Sequence, residues 1–183
     1  MFERSEKLII EAAINEQCTK AENPNVPVSA EECAVDALKC AAAGAAIVHF
    51  HARDPQSGAL LVPGTDSYGE TMRLINDERP DLLVYPTYGM APTPEARFVH
   101  LATLADDPAV RLRSATVDPG AANFSWWDPA NNAIKGDNIF GVSHEHLAYF
   151  LRLSKEKGIQ YSVVVREPGH VRIAVAMIAT RSA

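Results

Sequence analysis

Apolar and polar positions follow two rhythms along this chain, and the rhythms take turns. Residues 8–14 form a short apolar run, Leu-Ile-Ile-Glu-Ala-Ala-Ile, that predicts a mostly buried strand. A loop through Pro24 and Pro27 follows. Ser29 and Glu32 then stand at capping-box spacing, and Ala34, Ala37, Leu38 and Ala41 recur at helical intervals until Gly44 supplies the stop. Residues 46–51 predict a second strand, residues 66–78 a helix with Met72 and Ile75 on its buried side, and residues 82–85 a third strand. Thr93-Pro94-Glu95 opens another helix, with a hydroxyl cap, a proline in the first turn and an acid at the positive end of the dipole. Phe98, Leu101 and Ala105 continue that helix inward.

Residues 110–117 alternate as a fourth strand despite Arg111 and Arg113. Residues 119–138 hold Trp126, Trp127 and many turn formers, and read as a long functional loop. Ser143 starts a helix that Gly158 ends, residues 159–165 give a fifth strand, and residues 169–180 a closing helix. Strand and helix alternate throughout, which predicts an α/β fold with a parallel sheet and crossover helices. In a β/α barrel, chemistry gathers where each strand runs into its loop. That singles out residues 15–20, 49–54, 86–90, 116–123 and 166–170.

Composition narrows the reading. A chain of 183 residues, 47% apolar and 22% charged, is expected to form one domain with a real core. Seventeen basic against 23 acidic side chains give a net charge of −6, which repels a phosphate backbone and makes nucleic acid a poor partner. The charged start at residues 1–6 and the interruption by Glu11 predict neither a signal peptide nor a membrane span, and so a cytoplasmic protein. Cys18, Cys33 and Cys40 are odd in number and form no CxxC pair, so they read as reduced packing thiols.

The sharpest chemical signal is His49-Phe50-His51. Alternate residues of a strand share a face, so the two imidazoles can converge on one metal ion while Phe50 faces the helices. Arg53 is a permanently charged fork suited to a carboxylate or a CoA phosphate, or else to a structural ion pair with Asp54 or another acid. Glu16, Gln17, Thr19 and Lys20 follow the first strand as binders of a polar substrate or as solvated loop residues. Thr87 and Thr116 lie near strand ends, where a hydroxyl can orient a substrate oxygen or cap a turn. Glu167 is an active-site acid or merely opens the last helix. His144 and His146 lie two apart on a helix and do not share a face, and His100 reads as a surface or packing residue.

Thr19-Lys20, Asn23-Pro24, Val28-Ser29-Ala30-Glu31-Glu32, the His-x-His-x-Arg-Asp-Pro run ending at Pro55, and Glu167-Pro168-Gly169-His170 together resemble the β-keto acid cleavage family. The type member is 3-keto-5-aminohexanoate cleavage enzyme. The resemblance implies a zinc-dependent (β/α)8 (TIM) barrel that converts a β-keto acid and acetyl-CoA into acetoacetate and a new CoA thioester, in amino-acid catabolism. It places His49 and His51 on two of the metal ligands, Thr87 at a substrate-binding Ser, and Thr116 at a substrate-binding Thr. Gln17 falls where the aminohexanoate-specific enzyme has a Glu that meets the substrate amine. A neutral amide cannot neutralise an ammonium, so a different β-keto acid is expected unless Glu16 takes over.

Length departs from the family pattern. About five of the eight strands are present, and the metal-binding Glu of the last strand is absent, with the Arg and Asp beside it. The expectation is therefore an N-terminal portion of a cleavage enzyme, with a homo-oligomer implied by the resemblance. A non-catalytic or partner-completed barrel fragment that keeps part of a metal site is the alternative, since a partial barrel exposes sheet edges. An amidohydrolase, which also uses an HxH pair, would place it on the first strand.

Overall fold

The computed structural model describes residues 8–181, so the charged start discussed above lies outside the described residues. The elements run in the order β1 (Glu11–Ala13), α1 (Ala30–Ala42), β2 (Ile47–Phe50), α2 (Thr65–Glu78), β3 (Leu83–Pro86), α3 (Pro94–Asp106) and β4 (Ser114–Val117). There follow β5 (Ala122–Asp128), β6 (Ala133–Phe140), α4 (His144–Lys157), β7 (Gln160–Val163) and α5 (Pro168–Arg181). β1, β2 and β3 form one parallel ladder in that order, and β4 and β7 form another. The two ladders meet where β3 packs beside β4.

The helices start where local chemistry satisfies their free N–H groups. Ser29 and Glu32 form a complete capping box on α1: the Ser29 hydroxyl accepts from the Glu32 N–H at 3.2 Å, and the Glu32 carboxylate accepts from Ser29 N–H. Thr93 and Ser143 cap α3 and α4 through their hydroxyls alone, which accept from the Ala96 and His146 N–H groups. α2 begins differently, after Gly64 at φ +64, where a Cβ would meet Ala52 and Leu61 at 2.8 Å; only glycine fits. Gly158 at φ +67 ends α4 in the left-handed conformation.

Side-chain alternation along the strands separates core from site. Val48 and Phe50 on β2, Val84 on β3, and Ala115 and Val117 on β4 are buried in the apolar core with the helices. Phe50 meets Tyr68 of α2 edge-on at 5.2 Å, as the His-x-His reading required. Phe98 of α3 and Phe150 of α4 are fully buried, with rings 5.3 Å apart. The odd-numbered residues of β1 to β3 and the even-numbered residues of β4 and β7 share the opposite face.

Three expectations change. The first strand is short, and Leu8, Ile9 and Ile10 are 88%, 73% and 49% exposed rather than buried, because among the described residues β1 pairs only with β2. The fourth strand begins at Ser114 and not at Val110. The N–H groups of Val110 and Arg111 both donate to the Asp107 carbonyl, and Arg111 turns through φ +54. The long loop at residues 119–138 is instead largely an antiparallel hairpin of β5 and β6, with a register irregularity between Phe124 and Trp126.

Candidate metal centre

β2 delivers His49 and, one residue past its end, His51 to the same side of the sheet. Their Nε2 atoms lie 3.2 Å apart. The Glu16 carboxylate comes within 3.6 Å of His49 Nε2 through one oxygen and within 3.5 Å of His51 Nε2 through the other. These three side chains are the one such metal-capable group among the described residues. A tetrahedral ion with zinc-like bonds keeps its ligand atoms about 3.3 Å apart, so the donor spacing fits a small divalent ion.

The His49 tautomer fits as well. His49 Nδ1 lies 3.3 Å from the Tyr85 carbonyl, to which it can only donate, so the neutral ring offers its Nε2 lone pair toward Glu16 and His51. Burial lowers the His49 pKa and pushes His51 down to about 3, with His49 and Arg53 adding to the latter effect. Both rings are therefore neutral at pH 7, the state a metal ligand needs. Tyr85 stacks on His49 at 4.6 Å, and its hydroxyl donates to Glu11.

Glu16, which the sequence suggests as a substrate binder or a solvated loop residue, stands here as a candidate third donor, where the resemblance implies a third ligand from a strand absent from this chain. Its position depends on the backbone. Glu16 adopts φ +37, and the Arg53 guanidinium reaches back to donate to the carbonyls of Asn15 and Glu16 on one side and of Gly58, at 2.9 Å, on the other. Asn15 completes the clamp: its Oδ1 accepts from the His51 N–H at 2.8 Å, and its Nδ2 donates to the His51 carbonyl at 2.9 Å and the Pro27 carbonyl at 3.1 Å.

The three donors open onto a cavity of about 700 Å³, within the usual range for small-ligand sites. Gln17, Thr87 and Thr116 line it together with Glu16, His49 and His51. Arg53 and Glu167 do not. Arg53 is buried against carbonyls and, among the described residues, paired with no acid, while Glu167 is exposed beside α5.

The structure adds a polar group that the sequence reading passed over. Asp118, buried just beyond β4, accepts from the Tyr88 hydroxyl at 2.7 Å and from Arg166 Nε at 2.7 Å, and its own N–H donates to the Tyr88 oxygen at 2.8 Å. Continuing the alternation from Thr116 would have found Asp118, and the same step from Val164 finds Arg166. The hairpin forms a wall of the cavity with Phe124, Trp126, Asn138 and Phe140. His100 is buried, its Nε2 donating to the Thr87 carbonyl at 2.9 Å, and so packs beneath the site. Cys33 is buried, with burial raising its thiol to about 12, as a packing role requires.

A profile of the beta-keto acid cleavage enzymes matches residues 7–182. The chain belongs to this family. The 3-keto-5-aminohexanoate cleavage enzyme of Fusobacterium nucleatum is 30% identical over 173 residues, covering 93% of this chain and 57% of that enzyme. The enzyme of the same name from Acetoanaerobium sticklandii is 26% identical, covering 94% of this chain and 57% of its own. The chain thus spans little more than half the length of these relatives. The ternary complex of ObcA with a C4-CoA adduct and oxalate superposes with a TM-score of 0.68 over 88% of this chain and 35% of that one. Their identity is 20%, so this likeness concerns the α/β fold.

The buried histidines set an acid response. Burial lowers His49, His51 and His100, the last to about 4. Below the unfolded value near 6.5 the unfolded chain binds protons that the folded chain refuses, so stability falls as the pH falls. For His100 alone the loss is about 3 kcal/mol between pH 6.5 and 4. Urea unfolding of the metal-free chain at pH 7 and pH 5 is expected to show lower stability at pH 5. A His100→Gln variant, which keeps a donor for the Thr87 carbonyl, should show a smaller drop; an equal drop would remove His100 from the explanation.

Proposed function

We propose that the chain carries a zinc site and a β-keto acid pocket for the reaction of its family: a β-keto acid and acetyl-CoA giving acetoacetate and the CoA thioester of the remaining acyl group. The observation that carries this reading is the Glu16, His49 and His51 cluster at strand ends, opening onto the shared cavity. The CoA adduct in the ObcA complex supports a CoA substrate. An ion held there would supply Lewis acidity toward the keto and carboxylate oxygens of the substrate.

The side chains do the rest. His49 and His51 hold neutral lone pairs in place, and Glu16 contributes the charge. The Thr116 hydroxyl, 3.4 Å from the Ser162 carbonyl and from the Ser162 hydroxyl, would orient a substrate oxygen, and Thr87 lines the same cavity. Gln17 favours a substrate without an ammonium group.

The five parallel strands are proposed as an arc of an eight-stranded β/α barrel in one domain. Exposed Leu8 and Ile9 beside β1, and Val165 and Val175 beyond β7, are surfaces that further β/α units would cover, from this polypeptide or from a partner such as a second copy. No helix among the described residues is long and apolar enough to cross a membrane.

The test is metal content and turnover on the same sample. The purified chain is expected to carry about one zinc ion and to form acetoacetate from acetyl-CoA with at least one β-keto acid. Absence of zinc at micromolar supply would sink the metal reading. Zinc without acetoacetate would support the second reading, a metal-binding part that acts only when its sheet edges are completed.

A further inference from the structure

The cavity has two electrostatic ends. At the β1 and β2 side stand Glu11, Glu16 and two neutral imidazoles, a negative group that a divalent ion would offset. At the β4 and β7 side stands the group of Tyr88, Asp118 and Arg166, with Arg97 directly behind it. The Arg97 guanidinium lies over the Tyr88 and Phe140 rings, 5.2 Å from each centroid, and donates to the Gly141 carbonyl at 2.6 Å. Asp118 pairs with Arg166, and Arg97 adds a second guanidinium behind the Tyr88 ring, so the two cations outnumber the one carboxylate of this group.

Arg166 is the member that reaches the cavity. Its Nε is fixed on buried Asp118, and its plane lies over Phe124 at 5.4 Å. Its two terminal nitrogens have no hydrogen-bond partner among the described residues, and the side chain is 42% exposed. A carboxylate below and an aromatic ring alongside thus hold a fork of donors aimed by neighbours rather than by solvent. Preorganised forks of this kind suit a carboxylate, and holding the side chain in advance lowers the entropic cost of binding. Among the described residues that line the cavity, only Arg166 is permanently cationic.

We infer that Arg166 docks a second, distal carboxylate of the substrate, so that this chain selects β-keto acids bearing two carboxylates. The inference rests on the β-keto acid reading above: one end of the substrate meets the Glu16, His49 and His51 group, and the other end meets Arg166. Asp118 and Tyr88 are positioning residues, acting through the guanidinium. The absence of an acidic side chain at Gln17 fits the same choice, since the substrate then needs no ammonium.

The test compares 3-oxoadipate with 3-oxohexanoate, which differ by a carboxylate against a methyl group at the far end. Dissociation constants are measured by calorimetry on the full chain, with and without added zinc. The diacid is expected to bind about tenfold tighter or more. In Arg166→Met the ratio should fall to near one while the monoacid is unaffected, and Arg166→Lys should recover part of it. Circular dichroism confirms that the variants fold. Equal affinities in the parent chain, a ratio unchanged in Arg166→Met, or no binding of the diacid with or without zinc would overturn the inference. Weakened acetyl-CoA binding in Arg166→Met with the diacid ratio intact would also overturn it, by assigning the fork to a CoA phosphate. A diacid preference that depends on Arg166 in a chain that binds no zinc would uphold the inference and strike only the metal reading.

Discussion

A chain carrying both His49→Ala and His51→Ala is expected to lose zinc almost completely, retaining less than about a tenth of the parent's content after dialysis. The two imidazoles supply two of the three donors in the cluster, and both are neutral at pH 7 because burial disfavours their protonation. What remains is Glu16, half-exposed and on a loop, and one carboxylate does not hold zinc against water. The loss in affinity should exceed the roughly 10–100-fold that follows removal of a supporting group around a metal ligand. The fold should survive, since no charge is buried by the change and β2 keeps its ladder through the backbone. Glu16→Gln separates two possibilities for the third donor: a marked fall in zinc affinity identifies a ligand, and an unchanged affinity identifies a neighbour. Undiminished zinc in the double-alanine variant would place the ion elsewhere and end the assignment.

The parts of this site that were legible in the sequence are those fixed by local rules. His49 and His51 could be paired because a strand has a side-chain period of two, and that period needs no tertiary knowledge. Ser29 with Glu32, Thr93 with Pro94, and Gly158 marked helix ends for the same reason. Thr87 and Thr116 were found from strand ends together with family resemblance, and both do line the cavity.

What was not legible depends on contacts distant in sequence. Asp118 meets Tyr88 from 30 residues away and Arg166 from 48, and no local pattern signals either pairing. Glu16 reads from the sequence as a substrate binder or a solvated loop acid, not as a metal donor. Its value as a donor comes from a left-handed backbone that Arg53, 37 residues later, holds from the other side. The hairpin of β5 and β6 was missed because its strands are mostly exposed, so they lack the apolar alternation that marks a half-buried strand. The run at residues 8–10 misled in the opposite sense. Its apolar character is real, but burial requires a neighbour on the outer side of β1, and the described residues supply none.

Arg53 is where the difference between a sequence motif and a structural role has the largest consequence. Within its motif it reads as a ligand for a carboxylate or a CoA phosphate, but the folded chain buries it at 3% exposure and directs its guanidinium to the carbonyls of Asn15, Glu16 and Gly58. Replacing it with leucine would leave these carbonyls without their donor in a space that water reaches poorly, at a cost of about 3–5 kcal/mol in urea unfolding. The loss should spread to the metal centre, because the loop that carries Glu16 is no longer tied to β2. Zinc affinity is expected to fall about tenfold while both histidines remain in place. Arg53→Lys should recover little of either, since one ammonium cannot span carbonyls on two sides as the fork does. A variant Arg53→Leu that keeps its stability and its zinc, yet binds acetyl-CoA more weakly, would return this arginine to the substrate-binding role the motif suggests. A variant that loses stability and zinc together, with no separate effect on acetyl-CoA, would show that the arginine of the motif serves the third metal donor by holding its backbone.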